Sequence, residues 1–458
     1  MSLLKLSLMT RPILSGFLLF LDRVNIFVFS NEDQGLDEIP LIFRLYCNFG
    51  IETLLMIFTV FNWLMFLILC ITLLGVMSGR AQAVELSQDI QVHGFLTQGY
   101  FLTSDNRLFG ASDSGGGSLD FTEAGLNASW APIADLRLAG QVLFRRAGTG
   151  HEQDLELDFG LLDYSILSAA DYRLGARLGR YKNPYGFYNA TRDVLFTRPS
   201  ILLPQSIYFE RTRELALSAD GGLIYGEYRG ENGNLFLELG MGIPRGSNLD
   251  TELSFLGADY SGETHSKLSY IGQLIYELDG GKYRMAISSA KVDTRYDPKF
   301  LLPNDFSSLR TLFKPVIFSV QYNTDKLSLT SEYAIRSIEQ TILDDQFNRS
   351  ITGESYYFQA QYWLDKNFQA IIRYDVLYNN RDDKYGKKYQ ATTGRPAYTQ
   401  FARDWTFGLR YYVNTSFLVA GEYHYVNGTA WLPIQDNPDI NDLQQRWHTF
   451  SLAAGFRF

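Results

Sequence analysis

LGRYKNPYGFYNATRDVLFTRPSILLPQSIYFERTRELALSADGGLIYGEYR, residues 178–229, enters as an alternating strand and leaves as one. Between the two lie Pro184, Pro199 and Pro204, and prolines that dense cannot belong to a sheet ladder. The same segment is rich in apolar and aromatic side chains, among them Phe187, Phe196, Leu202, Leu203, Tyr208 and Phe209, which do not suit a solvated external loop. It also carries Lys182, Arg192, Asp193, Arg198, Glu210, Arg211 and Arg213. The stretch is expected to fold inward, into the interior of a β-barrel; the plainer alternative is a long surface loop, since loops of this length are usually functional or disordered.

Working outward, period-two alternation recurs on both sides. Leu138, Val142 and Phe144 oppose Arg137, Gln141 and Arg145; Leu155, Leu157 and Phe159 oppose Asp154, Glu156 and Asp158. Tyr172, Leu174, Ala176 and Leu178 oppose Arg173, Gly175 and Arg177, and near the end Phe407, Leu409 and Tyr411 oppose Thr406, Gly408 and Arg410. Apolar-out, polar-in segments of about nine to eleven residues are what a transmembrane β-strand requires. Short connections are expected at Pro132-Ile133, Ser168-Ala169, Glu231-Asn232, Asp279-Gly280-Gly281, Asn323-Thr324-Asp325, Asp365-Lys366 and Val413-Asn414. Longer polar connections fall at 104–117, 148–152, 182–212, 242–265, 295–313, 340–351, 380–401 and 428–444. Seven turns and eight loops join sixteen antiparallel strands, with both ends of the barrel chain on the short-turn side. This count makes 213–229 one strand, with Gly221-Gly222 as a bend or bulge, and puts every proline after the leader at or outside a strand end.

The fold class is therefore all-β: a sixteen-stranded antiparallel transmembrane barrel with an inward-folded third loop, residues 84–458, preceded by an apolar helical leader, residues 1–83. Leu54 to Val76 is almost uninterrupted apolar sequence, and Ala81 and Ala83 fit the small-x-small pattern of a signal-peptidase site. A retained membrane helix is the alternative. The fifty-odd residues before the apolar core are unusual for a leader, and residues 1–55 are read as a mis-assigned start. The last strand ends in Phe456-Arg457-Phe458, and the terminal aromatic reads as a signal to the machinery that assembles outer-membrane barrels. The 29 Tyr and 33 Phe suit girdles at the two membrane interfaces. A net charge of −9 offers nothing to a nucleic acid. Both cysteines precede residue 84, so disulfide and thiol chemistry are not expected beyond it.

Gly179-Arg180-Tyr181-Lys182-Asn183-Pro184-Tyr185-Gly186 resembles the G-x-F-K-x-P-F-G segment of the phosphate-selective porin O/P family. Glu210-Arg211-Thr212-Arg213, leading into 214–228, is similar to that family's return strand. The resemblance implies a homotrimeric porin whose inserted third loop conducts anions past lysines and arginines, here Lys182, Arg192, Arg198, Arg211 and Arg213. Residues 84–458 nevertheless hold 36 Lys and Arg against 44 Asp and Glu, so phosphate selectivity is not expected to carry over.

Alternation places Arg137, Arg145, Asp154, Glu156, Asp158, Arg173 and Arg177 on one side of the lumen, and Arg373, Asp375, Arg410, Glu422 and His424 on the far wall. Opposite charges on neighbouring strands would impose a transverse field on a passing solute, or hold the wall closed as ion pairs, or both. Tyr181, Tyr185, Phe187, Tyr188 and Tyr208 are candidates either for a solute slide or for anchoring the loop. The reading is an outer-membrane channel for passive diffusion of small hydrophilic solutes, in contact with outer-membrane lipid and lipopolysaccharide and holding no cofactor. The competing readings are a barrel hydrolase and a non-conducting structural barrel. No GxSxG, HExxH or CxxC motif is present, and His424 and His448, near Asp436, Asp439 and Asp442, are the one place where an acid–base or metal cluster is conceivable.

Overall fold

The computed structural model describes residues 84–87, 89–114, 116–150, 154–247, 249–256, 262–299, 308–342 and 348–458. The leader expectations, including Ala81 and Ala83, lie outside the described residues, as does His151.

Sixteen antiparallel strands form one closed wall: β1 (Ile90–Thr103), β2 (Ser118–Ile133), β3 (Leu136–Ala147), β4 (Asp154–Ser168), β5 (Tyr172–Lys182), β6 (Ser218–Gly230), β7 (Gly233–Pro244), β8 (Ser269–Leu278), β9 (Tyr283–Pro298), β10 (Leu309–Asn323), β11 (Leu327–Ile342), β12 (Asn348–Trp363), β13 (Phe368–Tyr378), β14 (Phe401–Tyr412), β15 (Phe417–Gly428) and β16 (Arg446–Arg457). Each pairs with the next, and β16 pairs with β1 from Thr449↔Thr103 to Arg457↔Phe95, so no edge is left open. Two short strands are additions to this ring. Val84–Ser87 folds back on the start of β1, and Gly262–Ser266 continues the path of β8 against the far end of β9. The seven short connections and eight long ones stand where the sequence predicts, the first turn falling just after Ile133 rather than at it.

The alternation sorts side chains as expected. Leu155, Leu178 and Phe358 point outward and are 73%, 61% and 60% exposed, whereas Glu123, Asp158, Glu332 and His424 point inward and are fully buried. In water so many exposed Leu, Phe and Tyr would be an aggregation surface; against acyl chains they match their solvent.

Three local expectations need correction. Residues 213–229 are not one strand: Arg213–Leu217 is a helical turn and β6 begins at Ser218. Gly221 and Gly222 are not bulged, since β6 keeps an unbroken register with β5 and β7 through both. The register shifts fall instead between β1 and β2, β2 and β3, β3 and β4 at Gln141/Val142, and β4 and β5 at Ser165/Leu167. Lastly, Pro315 lies inside β10. It pairs with Arg336 of β11, but on the β9 side the ladder passes from Ser289↔Val316 to Val292↔Phe313 with the intervening pairs missing. A proline has no N–H to donate there. The gap is backed from inside by Tyr185 and Ile207, which together with Ile271, Ala290, Phe313 and Pro315 enclose a cavity of only about 40 Å³.

The seam ends on the last residue. Phe458 N–H donates to the Gly94 carbonyl (3.0 Å) and Gly94 N–H donates back to the Phe458 carbonyl (3.3 Å). The Phe458 ring lies over Gly94, where an added Cβ would meet it at 2.4 Å. Deleting Phe458, or substituting Gly94→Val, is expected to lower the fraction of heat-modifiable, folded barrel recovered from membranes. An unchanged yield for both would remove this contact from the account of closure.

Candidate pore constriction

Residues 183–217 leave β5, cross the lumen and return to β6. Their two ends are tied together: Asn183 N–H donates to the Leu217 carbonyl (3.0 Å), and the Asn183 and Asn189 side-chain amides both donate to the Ala216 carbonyl (3.0 and 2.8 Å). Proline spacing and the absence of a ladder partner keep this segment from extending the sheet. Its route is set by polar groups on the wall that grip its main chain.

The first grip is Glu332 on β11. One carboxylate oxygen accepts from Phe187 N–H (3.0 Å) and the Ser319 hydroxyl (2.6 Å); the other accepts from the Tyr208 and Tyr357 hydroxyls (2.6 and 2.9 Å). Burial and the neighbouring Glu332 carboxylate hold the Tyr208 hydroxyl protonated well above the ordinary phenol range, which suits it as a donor. Beside it Gly186 donates to the Ser288 hydroxyl (3.1 Å) and accepts from the Gln273 amide (2.8 Å). Gly186 has φ +60°, and a Cβ there would collide with the Tyr208 hydroxyl at 2.3 Å, so this turn requires glycine.

The second grip is on the far wall. Glu422 on β15 accepts from Ile201 N–H (2.5 Å) and Leu202 N–H (3.3 Å), and Asp375 on β13 accepts from Ser206 N–H (3.2 Å). Arg373 donates to the Ser200 hydroxyl (2.7 Å) and the Leu202 carbonyl (2.9 Å), and Arg410 donates to the Leu195 carbonyl (2.8 Å) and to the Arg198 carbonyl. His424 stands behind them between Asp404 (2.8 Å) and Glu422 (3.4 Å). All five far-wall residues named from parity thus face inward, and four of them hold the loop. Leu195, Ile201 and Leu202 then pack into an apolar cluster with Phe101, Phe121, Leu418, Trp431 and Trp447 inside the barrel.

On the near wall the charges are paired through the loop. Arg145 bridges Glu123 (3.2 Å) and Glu210 (2.6 Å); Arg198 reaches Glu123 (3.0 Å); Arg192 reaches Glu210 (2.9 Å). Lys182 bridges Asp158 (2.5 Å) and Asp193 (2.8 Å), and Arg213 also contacts Asp193. Burial alone would raise the Glu210 carboxyl, but Arg145, Arg192 and Arg198 override it and keep the group below its ordinary range. The expected attraction between neighbouring strands accounts for Arg145–Glu123, Lys182–Asp158 and Arg177–Asp163, and the loop supplies the remaining partners. Arg145 stands in register with Glu123 on β2, which it pairs with directly, and its second carboxylate, Glu210, comes from the loop.

The remaining candidates lie above and below this layer. Glu156 pairs with Arg245, which also reaches Glu214 (3.1 Å). Arg211 donates to the Ala430 carbonyl (2.8 Å). Toward the short-turn end Arg177 joins Asp163 (3.1 Å) and Glu238 (2.8 Å) and stacks on Tyr225, as does Arg173. Arg137 is exposed in the same vestibule, and Asp154 opens β4 opposite Arg145. Of the aromatic candidates, Tyr181, Tyr185 and Tyr208 are buried anchors, while Phe187 and Tyr188 keep partial access and Arg284 lies over the Phe187 ring at 4.9 Å. The conceivable cluster at the last long loop does not assemble: His424 is inside, His448 faces outward against Tyr423 and Tyr425, and Asp436 accepts from Thr149. Sequence reasoning missed Glu123, Asp163, Glu238, Arg245 and Glu332 as site residues. Glu332 had a visible signal, a lone carboxylate at inward parity in the middle of LSLTSEYAIRS, residues 327–337.

No protein-family model matches the chain, and no curated protein sequence matches it. Solved structures do. The outer membrane channel DcaP of Acinetobacter baumannii aligns over 83% of this chain and 100% of its own at TM-score 0.51 and 10% identity. The anion-selective porin from Comamonas acidovorans aligns over 81% of this chain and 99% of its own at TM-score 0.50 and 12% identity. The fold is that of the outer-membrane porins. The long third connection, between β5 and β6, crosses the lumen, and Leu108 and Phe109 of the first and Trp431 and Leu432 of the last pack against it.

Proposed function

We propose that the chain is a porin of the bacterial outer membrane that passes small hydrophilic solutes by diffusion, with residues 183–217 as the constriction. The observation that carries this reading is the contrast between the two faces of one wall. Outside is apolar, while the inside of the short-turn half is lined by partly exposed charges, Arg177, Glu238, Glu277 and Arg284 among them. Water and ions suit such a lining; lipid and a packed core do not.

The constriction is built to select by size more than by sign. Its cations Lys182, Arg145, Arg192, Arg198 and Arg213 are all engaged by Glu123, Asp158, Asp193 and Glu210. The GRYKNPYG segment supports kinship with the phosphate-selective porin O/P family, but bases already held by carboxylates are poor phosphate ligands. A hydrolase is disfavoured because His424, which stands between Asp404 and Glu422, is sealed beneath the loop. A homotrimer is supported by the outward rows of β2 to β6. They carry Ala124, Ala128, Gly140, Gly160, Ala176 and Gly226, together with an outward Arg180–Asp220 pair (2.7 Å), where β12 to β16 carry Tyr, Trp and Phe. Lipid and lipopolysaccharide on the remaining face, and the barrel-assembly machinery reading Phe458, complete the reading.

Planar-bilayer recording tests it. Steady steps with a reversal potential close to zero in a salt gradient are expected. Silence from folded protein would sink the channel reading, and a strong anion preference would sink charge compensation.

A further inference from the structure

Above an outward aromatic row, the extracellular rim of β12 to β15 carries a basic patch that the channel does not use. The row is Phe358, Tyr374, Trp405 and Tyr425, side by side in register. One step nearer the loops on the same outer face stands Arg403, paired in register with Val376 and Asn427. Its guanidinium lies over the rings of Tyr385 (5.0 Å), Phe401 (5.6 Å) and Tyr378 (5.8 Å). The loop above it, 379–400, holds Arg381, Lys384, Lys387, Lys388 and Arg395 against Asp382 and Asp383, in a chain whose net charge is −9. Lys384 is taken by Glu354 (2.5 Å). Among the described residues no carboxylate pairs with Arg403, Lys387, Lys388 or Arg395. Between this loop and Gln445 opens a cleft of about 570 Å³, lined by Lys387, Gln390, Tyr385, Tyr398 and Phe401. Tyr385 is 55% exposed beside these cations.

Aromatic faces for a sugar ring, cations that no carboxylate neutralises for phosphate, and an aromatic girdle immediately below for the start of the acyl region occur here in the order of a membrane's own depth. We propose that Arg403, Lys387 and Lys388, with Tyr385 and Tyr398, bind the phosphorylated sugar headgroup of an outer-leaflet glycolipid. This rests on the outer-membrane reading. A soluble anion would gain nothing from a site that opens beside the lipid-facing girdle.

The full chain, purified in detergent and stripped of lipid, is titrated by native mass spectrometry with bis-phosphorylated lipid A, with its dephosphorylated form, and with inorganic phosphate as competitor. The K387Q/K388Q/R403Q variant is expected to lose roughly tenfold or more in lipid A affinity, since it removes three of the cations that would meet the phosphates. K299Q/R310Q/K314Q removes equal charge from paired positions elsewhere on the outer face and is expected to bind as the parent does. K387Q/K388Q alone alters exposed side chains and is expected to show the same loss in part if R403Q folds poorly. Equal losses in both triple variants, equal binding of dephosphorylated lipid, or displacement by millimolar phosphate would each overturn the site. Conductance in a pure phospholipid bilayer is read in parallel. Its absence would fail the channel reading and leave the lipid titration to stand or fall separately.

Discussion

Deleting Asn189 to Gln205 is expected to raise single-channel conductance several-fold and to admit larger uncharged solutes. The cut leaves the pinned ends near Asn183 and Leu217 and both flanking strands, and removes the span that reaches the far wall. Leu195, Ile201 and Leu202 leave the interior cluster, so the far half of the lumen opens to water. Arg373, Arg410 and Glu422 lose their loop partners but gain hydration, and an ion returned to water does not carry the cost of an unpaired buried one. The barrel wall is expected to survive, since its ladder does not pass through the loop. Heat modifiability checks the fold and bilayer recording reads the channel. An unchanged conductance from folded protein would mean that solutes do not pass where this loop lies.

The second large effect is on stability. Arg145 is buried with carboxylates on two sides. Arg145→Met is expected to cost up to about 3 kcal/mol, because Glu123 and Glu210 each lose one of two buried donors and keep only Arg198 and Arg192. Adding Glu123→Gln is expected to cost less than the sum of the two single changes, since the Arg145–Glu123 pair can be lost only once. Unfolding midpoints in detergent and denaturant for the parent, both single variants and the double variant measure the coupling. Strict additivity would show that the pair is not energetically joined. The same logic holds for Lys182, Arg198 and Arg213: neutralising them disturbs the fold of the constriction before it disturbs ion preference.

The strand count was legible because turns and alternation repeat, and each repetition constrains the next. The face of each residue followed from the same parity, so Arg145, Asp158, Arg373, Asp375, Arg410 and Glu422 were correctly placed inside. Partners supplied by the loop were not legible. Parity says which side a strand residue faces but not where the loop sets its own charges, and Glu210, Asp193 and Arg198 reach the wall from the loop. The loop's route was hidden for another reason. Glu332, Glu422 and Asp375 hold its backbone, and a backbone N–H is the same in every residue but proline. Pro315 escaped because a single missing donor is tolerated where the inner surface is sealed by Tyr185 and Ile207.

The meeting of Phe458 with Gly94 also sets a clock. A chain that reaches the membrane with its amino end leading presents β1 first, and the partner of β1 is the last piece to arrive. Every earlier stage of insertion therefore carries an unsatisfied border on β1 and another on the newest strand. Borders of that kind recruit other chains. The long wait favours a host that shelters β1 until β16 docks along Thr449 to Arg457.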